Sequence, residues 1–213
     1  MPTLEGTQAH QSKIYYEFSH LYDRLFTRVF SPRIEQVIRS LRIEPGAQVL
    51  EVGVGTGLSF AAYPKHCQVT GVDLAPEMLD QAQEKIDRNG WRHLKVMEMD
   101  ALNLKFAENA FDYVMAFHVV SVVPDVGRLM SEVLRVSKSG ATVVIINHFR
   151  SPNRLLATLD SLGEPVTRRL GWHTLRREEV IGGIPLEIER AYKTSSRSLF
   201  TILVGKNRKG SEQ

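Results

Sequence analysis

Cysteine and long hydrophobic runs are what this chain has least of. Cys67 is the one cysteine among 213 residues, so no internal disulfide can form, and we expect a protein of the reducing cytoplasm. No apolar run approaches the roughly 20 residues that a membrane-spanning helix needs. The N-terminal residues also lack the basic-then-apolar pattern of a signal peptide. These absences exclude a disulfide framework and a spanning helix, and we interpret Cys67 as a small core residue.

Motifs for several other kinds of chemistry are absent as well. The seven histidines show no spacing typical of a metal centre, so we expect no metal. The G-x-S-x-G nucleophile elbow of many hydrolases does not occur. No run of Lys and Arg is interleaved with aromatic residues, so we expect no nucleic acid partner.

The net charge of +3 is small but unevenly distributed. Residues 148–213 contain 12 Lys and Arg and 7 Asp and Glu, a balance of +5, which leaves 15 and 17, or −2, for residues 1–147. This basic excess is typical of a segment that contacts an anionic membrane surface or a phosphate-bearing substrate. A basic surface that is simply solvated is the alternative.

Three alternating glycines define the most informative stretch. Gly53, Gly55 and Gly57 follow an apolar, β-branched run from Val49 to Val52, and a helical segment can follow them. The pattern predicts a buried parallel strand that turns sharply into a helix. Glycine suits such a turn because it adopts unusual backbone angles and lets a ligand lie against bare backbone. The N–H groups at the helix N-terminus would favour a negatively charged ligand group.

Two acidic residues indicate which ligand the glycine loop binds. Asp73 ends a second short strand and lies 73 − 53 = 20 residues after Gly53, where a carboxylate can bind both hydroxyls of a ribose. The alternative is that Asp73 only caps the helix at Pro76. Glu51 lies inside the first strand, where its carboxylate suits a positively charged methionine end. Because the glycine spacing also differs from G-x-G-x-x-G, S-adenosylmethionine is favoured over a nicotinamide dinucleotide.

Strand and helix patterns alternate along most of the chain. Besides the strands that end near Val52 and Asp73, the predicted strands are 94–97, 111–117 and 141–147, and the predicted helices are 31–41, 58–63, 76–89 and 124–136, the last closed by Gly140. This order implies an α/β fold with a mostly parallel sheet and helices on both faces. Residues 186–192 and 199–204 are predicted as a C-terminal antiparallel strand pair, which makes a seven-stranded sheet.

We therefore expect one domain over residues 1–213. Its insertion over residues 148–185 has no predicted strand, although residues 151–162 have a helical pattern. An insertion of this length is typical of a functional segment rather than a tight connection. A polar tail is expected from Lys206 to Gln213.

Residues 10–30 form a predicted amphipathic helix that is rich in aromatic side chains. Basic residues lie outside an apolar stripe that recurs at helical spacing and that Phe26 widens: Tyr15, Phe18, Tyr22, Leu25 and Val29. Such a helix can cover a site as a lid, lie in a membrane interface, or belong to the core.

If the glycine loop binds S-adenosylmethionine, the expected reaction is methyl transfer, and the candidate catalytic residues follow from what that reaction requires. The reaction is an in-line displacement, so the protein supplies proximity, alignment and a dry pocket. An amine acceptor must also lose a proton, which a tyrosine hydroxyl or a neutral histidine can take. Its methylated product is a cation that aromatic faces stabilise. The side chains expected to line this crevice are Tyr15, Tyr22, Phe117, His118, His148, Phe149 and Trp172.

Four motifs together resemble the class I S-adenosylmethionine-dependent methyltransferases. They are the glycine loop, Asp73, Met99-Asp100-Ala101 and Phe111-Asp112-Tyr113-Val114. The resemblance implies a Rossmann-like fold that binds S-adenosylmethionine and releases S-adenosylhomocysteine. The cofactor-binding residues that it implies are Glu51, Gly53, Gly55, Gly57, Asp73, Leu74, Met78, Asp100, Ala101 and Phe117. Asp100 would accept a hydrogen bond from the adenine amino group, unless it is an ordinary turn residue.

A closer similarity, to the bacterial phospholipid N-methyltransferases, covers nearly the whole chain. It rests on Tyr15, Tyr22-Asp23, Tyr63-Pro64, His118-Val119-Val120-Ser121-Val122-Val123-Pro124-Asp125, Asn147-His148-Phe149 and Leu170-Gly171-Trp172. It implies methylation of the amine of phosphatidylethanolamine, and of its mono- and dimethyl forms, towards phosphatidylcholine. The catalytic residues would be Tyr15, Tyr22, His118 and His148. One departure is Lys138-Ser139-Gly140, where the broader superfamily usually has Pro-Gly-Gly, and it affects a turn more than chemistry.

The same resemblance implies a monomer that associates peripherally with the inner membrane. Its N-terminal helix would cover the cofactor and touch the bilayer, so that a phospholipid headgroup reaches the site. The substrate-binding residues would be Arg150, Arg154, Arg168, Arg169 and Trp172. That Arg150, Arg154, Arg168 or Arg169 holds the lipid phosphate is a hypothesis from the basic insertion alone, not from the resemblance. The alternatives are a quinone-ring C-methyltransferase, a small-molecule amine methyltransferase, or a cofactor-binding regulator without turnover.

Overall fold

A computed structural model describes residues 31–150, 175–195 and 198–210. Within these ranges the chain forms a seven-stranded sheet in the order β3-β2-β1-β4-β5-β7-β6. The strands are β1 Gln48–Val52, β2 Gln68–Asp73, β3 Leu94–Glu98, β4 Phe111–Phe117, β5 Ser137–Asn147, β6 Leu186–Tyr192 and β7 Thr201–Asn207. The helices are α1, residues 31–40, then α2 Pro76–Asn89, α3 Val126–Val136 and α4 Arg177–Ile181, with a 3-10 helix at Phe60–Ala62.

Strands β1 to β5 are parallel, and β7 runs antiparallel to both β5 and β6. The central strand β1 is parallel to both of its neighbours, with Val49 opposite Val69 on one side and Tyr113 on the other. The prediction of a mostly parallel α/β sheet with a C-terminal antiparallel pair is therefore confirmed. All the parallel strands end at one edge, which places the glycine loop beside the ends of β2 and β4.

The core lies on both faces of the sheet because successive strand residues point to opposite sides. Val49 packs in the cluster covered by α1, the 3-10 helix and α2, while Leu50 and Val52 pack in the cluster covered by α3 and α4. The buried residues of α2 are Leu79, Ala82 and Ile86, whose helical spacing turns one face of the helix to the sheet.

The start of β5 differs from the prediction. Helix α3 ends at Val136 as expected, but the strand begins at once at Ser137, four residues before the predicted start. The ladder with β4 explains this, because Ser137 pairs with Phe111. The side-chain amide of Asn207 also holds this point, since it donates to Ser137 Oγ (2.8 Å) and to the carbonyl of Leu134 (2.9 Å). Gly140 does not close the helix; it lies in the irregular stretch between Ser137 and Thr142, with φ of 77°.

Two other boundaries are corrected. Strand β7 extends to Asn207, which is fully buried, so the predicted polar tail begins later than Lys206. The described part of the insertion contains α4 and an isolated bridge between Phe149 and Leu175, neither of which was predicted. The predicted helices at 10–30 and 151–162 lie outside the described residues. No helix within the described ranges is long and apolar enough to cross a membrane.

Candidate cofactor and acceptor site

The glycine loop is fastened to β2 by three backbone donors. The N–H groups of Gly53 and Val54 donate to the carbonyl of Val72 at 2.8 and 3.0 Å, and the N–H of Gly55 donates to Asp73 Oδ2 at 2.8 Å. Oδ1 of Asp73 accepts from the N–H of Ala75 at 3.0 Å, just before α2. The N-cap of α2 is Ala75 and no side chain caps this helix, so the capping alternative for Asp73 is wrong: one oxygen closes a local turn and the other holds the loop. Burial raises the pKa of this carboxyl.

Two positions in the loop have no room for a side chain. Gly53 has φ of 72°, and a Cβ there would lie 2.7 Å from Cγ2 of Val119. Gly57 has φ of 74°, and a Cβ there would lie 2.4 Å from the ring of Phe60. The loop is therefore glycine-rich for steric as well as conformational reasons. It also brings Val119, and with it the end of β4, directly against the loop.

Replacing Gly53 with Ala should both destabilise the protein and weaken S-adenosylmethionine binding. The backbone conformation alone costs about 1–2 kcal/mol for a residue with Cβ. The contact with Val119 adds to this and displaces the loop, so we expect at least about a tenfold rise in Kd, or 1.4 kcal/mol. Gly140→Ala is the matched control, because φ is 77° there and nothing lies within 4 Å of an added Cβ. Titration calorimetry and urea unfolding of both variants measure the two effects. Equal cofactor affinity in both would contradict the steric argument.

The other predicted cofactor residues are distributed around this edge of the sheet. Leu74 is 54% exposed beyond the end of β2, and Met78 lies close to Gly55, where an added Cβ would be 3.7 Å from its sulfur. The N–H of Met99 donates to the Asp73 carbonyl at 2.9 Å, which joins the ends of β2 and β3.

Asp100 and Phe117 have clear structural roles. Asp100 is exposed, and its Oδ1 accepts from the N–H of Leu102 at 2.8 Å, as the turn alternative predicts; Ala101 is half-buried within that turn. Phe117 is only 6% exposed, and its side chain packs in the core with Val144 and Ile146.

Glu51 is buried beneath the glycine loop, where only 3% of it is exposed. Its Oε2 accepts from the hydroxyl of Ser59 at 2.7 Å and from that of Tyr63 at 2.6 Å. Burial raises the pKa of Glu51 to about 7, against the opposing effect of the two hydrogen bonds. The residues that hold Glu51 were not predicted, because a contact across the 3-10 helix has no periodic signal in the sequence.

His118 follows β4 in a strained conformation. Its φ is 60°, a region that residues other than glycine rarely adopt, and its N–H donates to the carbonyl of Ile146 at 2.7 Å. The residue is half-buried, and its ring nitrogen Nε2 is fully buried. Desolvation, assisted by the nearby charge of Arg33, lowers the pKa of His118 to about 3, so the imidazole is neutral.

Phe200 joins the two predicted histidines. Its ring centre lies 4.8 Å from that of His118 and 6.2 Å from that of His148, both in edge-to-face geometry. The guanidinium carbon of Arg33 lies 5.0 Å from the centre of the same ring, and Arg33 Nε donates to Thr194 Oγ1 at 3.3 Å. We define these four residues, Arg33, His118, His148 and Phe200, as the acceptor-side cluster. The sequence did not indicate Arg33 or Phe200, since α1 and the segment before β7 meet only in the folded chain.

One hydrogen bond holds the ring of His148, and another holds its backbone carbonyl. Its Nδ1 lies 2.8 Å from the carbonyl of Leu199. Because a carbonyl oxygen can only accept, Nδ1 carries the hydrogen of this bond, so Nε2 is the ring nitrogen that can take up a further proton. The carbonyl of His148 accepts from the buried amide of Asn147 at 3.0 Å, and Ser121 Oγ donates to Asn147 Oδ1 at 3.1 Å. The Asn147-His148-Phe149 motif therefore positions the His148 backbone.

Several predicted residues are not placed by the structure. Tyr15, Tyr22, Arg154, Arg168, Arg169 and Trp172 lie outside the described residues. Arg150 is half-buried, and its backbone N–H donates to the carbonyl of Leu175 at 2.9 Å. In the part of the chain that the structure describes, no group of three or more His, Cys, Asp or Glu residues could hold a metal ion.

Comparisons with known proteins agree with this geometry. A family model described as a methyltransferase domain matches residues 50–145. A phosphatidylethanolamine N-methyltransferase from Cereibacter sphaeroides is 41% identical over 160 residues, which cover 74% of this chain and 79% of that protein. A demethylmenaquinone methyltransferase from Geobacillus kaustophilus is 31% identical over 153 residues, which cover 64% of this chain and 64% of that protein.

A solved structure with little sequence similarity has the same fold. It is the geranyl diphosphate C-methyltransferase from Streptomyces coelicolor A3(2), in complex with Mg²⁺, geranyl diphosphate and S-adenosyl-L-homocysteine. The two chains are 14% identical and superpose with a TM-score of 0.68, covering 84% of this chain and 81% of the other.

The chain belongs to the class I S-adenosylmethionine-dependent methyltransferases. It is accordingly an enzyme that uses S-adenosylmethionine as its methyl donor. The described residues fit this cofactor, because Gly53 and Gly57 keep the loop backbone free of side chains, and an added Cβ at either would force the loop away from Val119 or Phe60. The buried carboxylate of Glu51, whose hydrogen-bond partners are neutral hydroxyls, also suits a cationic amino acid end.

Proposed function

We propose that this enzyme methylates the amine of phosphatidylethanolamine, and of its mono- and dimethyl forms, at a membrane surface. The observation that carries the proposal is the 41% identity to a phosphatidylethanolamine N-methyltransferase over 79% of that protein. The acceptor-side cluster supports it, because two imidazoles and an aromatic face suit an amine that becomes a cation.

The cofactor contacts proposed here follow the edge of the sheet from β1 to β3. S-adenosylmethionine supplies a methyl group on a positively charged sulfur and is therefore already activated. Glu51 would hold its ammonium group, and Asp73 would bind the ribose with the oxygen lone pairs left over from the loop. The residues proposed to complete the cofactor site are Gly53, Gly55, Gly57, Leu74, Met78, Asp100 and Ala101.

The two histidines have different proposed roles. Nε2 of His148 is the basic nitrogen of a ring whose other nitrogen donates to Leu199, so His148 is placed to accept the proton of the acceptor amine. His118, with its pKa lowered to about 3, is a poor proton acceptor. It would instead orient the amine as a neutral hydrogen-bond acceptor, next to the ring of Phe200. The aromatic face would stabilise the quaternary ammonium of the final product.

The remaining proposed contacts concern the lipid. Arg150, Arg154, Arg168 and Arg169 would bind the headgroup phosphate, with Trp172 beside it. Tyr15 and Tyr22 would cover the reacting amine from the N-terminal helix, which would also touch the bilayer. On this proposal the enzyme is a peripheral protein of the inner membrane, acts as a monomer, and is a single domain over residues 1–213. Replacing the four arginines with Ala tests phosphate binding, and replacing both tyrosines with Phe tests their covering of the amine. Unchanged turnover on lipid vesicles in either variant would exclude the role that it tests.

Incubation with methyl-labelled S-adenosylmethionine tests the substrate. The purified enzyme is given phosphatidylethanolamine vesicles, demethylated quinone in detergent micelles, or soluble amines such as ethanolamine. We expect label in phosphatidylethanolamine methylated once, twice and three times, with the other two acceptors at background. Label in the quinone with none in lipid would overturn the proposal. Matched phosphatidylcholine vesicles, which have no free amine, control for label that merely partitions into the bilayer.

A quinone-ring C-methyltransferase is the second candidate. It is favoured by the 31% identity to a demethylmenaquinone methyltransferase. That match extends over 64% of the relative, compared with 79% for the phosphatidylethanolamine N-methyltransferase. The same incubation separates the two candidates.

A further inference from the structure

A buried carboxyl with two hydroxyl donors lies directly beneath the glycine loop. Glu51, Ser59 and Tyr63 are 3%, 1% and 4% exposed, and both hydroxyls donate to the same oxygen, Oε2. No cationic side chain among the described residues forms an ion pair with Glu51. A carboxylate in such a place is costly unless a positive charge arrives beside it.

The other deeply buried glutamate shows the contrast. Glu132 is 4% exposed, but its Oε2 accepts from Arg135 at 2.8 Å and from the N–H of Leu104 at 2.8 Å. The guanidinium of Arg135 lowers the pKa of Glu132, so this carboxylate stays charged. Glu51 has no such partner among the residues that the structure describes, and burial raises its pKa to about 7. The two glutamates therefore differ in the source of the positive charge that pairs with them. Arg135 supplies it for Glu132, and a bound ligand would supply it for Glu51.

We infer that Glu51 is a proton switch for the cofactor: it is protonated in part of the free enzyme at neutral pH and releases that proton when the ammonium of S-adenosylmethionine binds. Ser59 and Tyr63 are positioning residues that determine the pH at which the switch operates. The proton leaves the carboxyl for solvent, and an ion pair between carboxylate and ammonium replaces the neutral acid. The inference concerns the cofactor and is independent of the acceptor, so its failure would not touch the proposed lipid substrate.

The other groups near Glu51 are separated from it as follows. Helix α1 packs apolar residues, Ile34, Val37 and Ile38, in the cluster on this face of the sheet. At the end of β2, burial also raises the pKa of Asp73, and Glu51→Gln, which leaves Asp73 unchanged, separates the proton released by Glu51 from any released by Asp73. At the end of β4, the pKa of His118 is about 3. Cys67, beyond the 3-10 helix, has its pKa raised by burial and is a thiol at neutral pH. Tyr63 itself has its pKa raised far above neutrality.

The switch makes quantitative predictions for cofactor binding. If only the ionised carboxyl binds and its pKa is about 7, affinity should fall about tenfold from pH 8 to pH 6. Binding at pH 7 should release roughly half a proton, and binding at pH 8.5 almost none. Titration calorimetry of S-adenosylhomocysteine, in pairs of buffers with different ionisation enthalpies, counts the released protons. This product keeps the ammonium group but has no sulfonium charge, which isolates the ammonium.

Two variants distinguish a switch from a merely structural carboxyl. Glu51→Gln keeps the size of the side chain and an oxygen that can accept from both hydroxyls, so it should bind more weakly and release no proton at any pH. Tyr63→Phe removes one donor that lowers the pKa, so half-release should move to a higher pH, with affinity approaching that of the wild type in alkaline buffer. Tyr113→Phe is the matched control, because Tyr113 lies on β4, where it pairs with Val49, nearer the end of the strands that is away from the glycine loop.

An infrared measurement covers the case in which Glu51→Gln does not bind. The carbonyl band of a protonated carboxyl should disappear when S-adenosylhomocysteine is added to the wild-type enzyme at pH 6.5. The same band should be missing from the free Glu51→Gln variant. Zero proton release by the wild type at pH 7, or the same release by Glu51→Gln, would overturn the inference. So would a carboxyl band that persists on binding.

Discussion

Replacing His148, the proposed general base, with Asn is expected to slow methyl transfer to the proposed acceptor, phosphatidylethanolamine, about 100-fold at pH 7, the scale typical of losing such a base. Asparagine can still donate to the carbonyl of Leu199, which accepts from Nδ1 of His148 at 2.8 Å, so the local fold should persist. What is lost is the basic Nε2. Because the amine deprotonates unaided as the pH rises, the deficit in kcat should narrow steadily towards pH 9.

His66→Asn is the matched control for this experiment. The ring of His66 also bonds to a backbone carbonyl, that of Ile43 at 2.8 Å, but it lies before β2, at the opposite end of the sheet. Its rate should equal that of the wild type within error. Affinity for S-adenosylmethionine should be unchanged in both variants. A His148→Asn enzyme with wild-type kcat at pH 7, or with a deficit that does not depend on pH, would remove His148 from the chemistry.

His118→Asn adds a second comparison. Its imidazole is neutral over the whole range in which the enzyme is assayed, since its pKa is about 3. Any loss of rate at this position should therefore be the same at pH 7 and pH 9. The contrast in pH dependence, rather than the size of either loss, separates the proton acceptor from the residue that orients the amine.

Glu51→Gln is expected to stabilise the cofactor-free protein by about 3 kcal/mol at pH 8 and by almost nothing at pH 4.5. The folded pKa of about 7 lies above the value of 4.5 for an exposed Glu. As the pH rises through this window, the unfolded carboxyl ionises while the folded one keeps its proton, so the stability of the wild type falls. Above pH 7 the loss is complete. Glutamine is neutral in both states and avoids it. Urea unfolding at a series of pH values measures the difference.

Glu132→Gln should behave in the opposite way. The pKa of Glu132 is lowered in the folded state, so its stabilising contribution is present at neutral pH and is lost on acidification. The glutamine variant should therefore be less stable than the wild type at pH 8, where Arg135 would lose its ionic partner. If Glu51→Gln were also less stable at pH 8, ionisation of the buried Glu51 carboxyl would not destabilise the cofactor-free protein. The gain in stability should be accompanied by weaker cofactor binding, a trade-off common at functional sites.

The sequence was most informative where the physics is local. Gly53, Gly55 and Gly57 stand next to one another in the chain, and their positive φ angles follow from that short pattern. The spacing to Asp73 could be counted directly, and its carboxyl does meet the loop, at the N–H of Gly55. The alternation of strands and helices likewise determined the sheet, because each β–α unit has its own hydrophobic period.

Contacts across the fold could not be predicted in the same way. Arg33 and Thr194 are 161 residues apart, yet they share a hydrogen bond. Arg33 also lies over the ring of Phe200, and only the packing of α1 against the segment before β7 makes both contacts possible. The early start of β5 comes from the pairing of Ser137 with Phe111, and the Asn207 amide that contacts Ser137 is supplied by β7, later in the chain. The partners of Glu51 are close in sequence, but a 3-10 helix has no amphipathic pattern long enough to reveal which hydroxyls turn inwards.

The position of β7 between β5 and β6 has a consequence for biosynthesis. During translation β6 leaves the ribosome before β7, yet within the described residues its strand partner is β7. Until β7 emerges, β5 presents an unpaired edge and β6 has nothing to join, so the sheet cannot be completed in the order of synthesis. A nascent chain halted before residue 201 would expose that edge to other chains, and the acceptor side of the enzyme would be the last part to form.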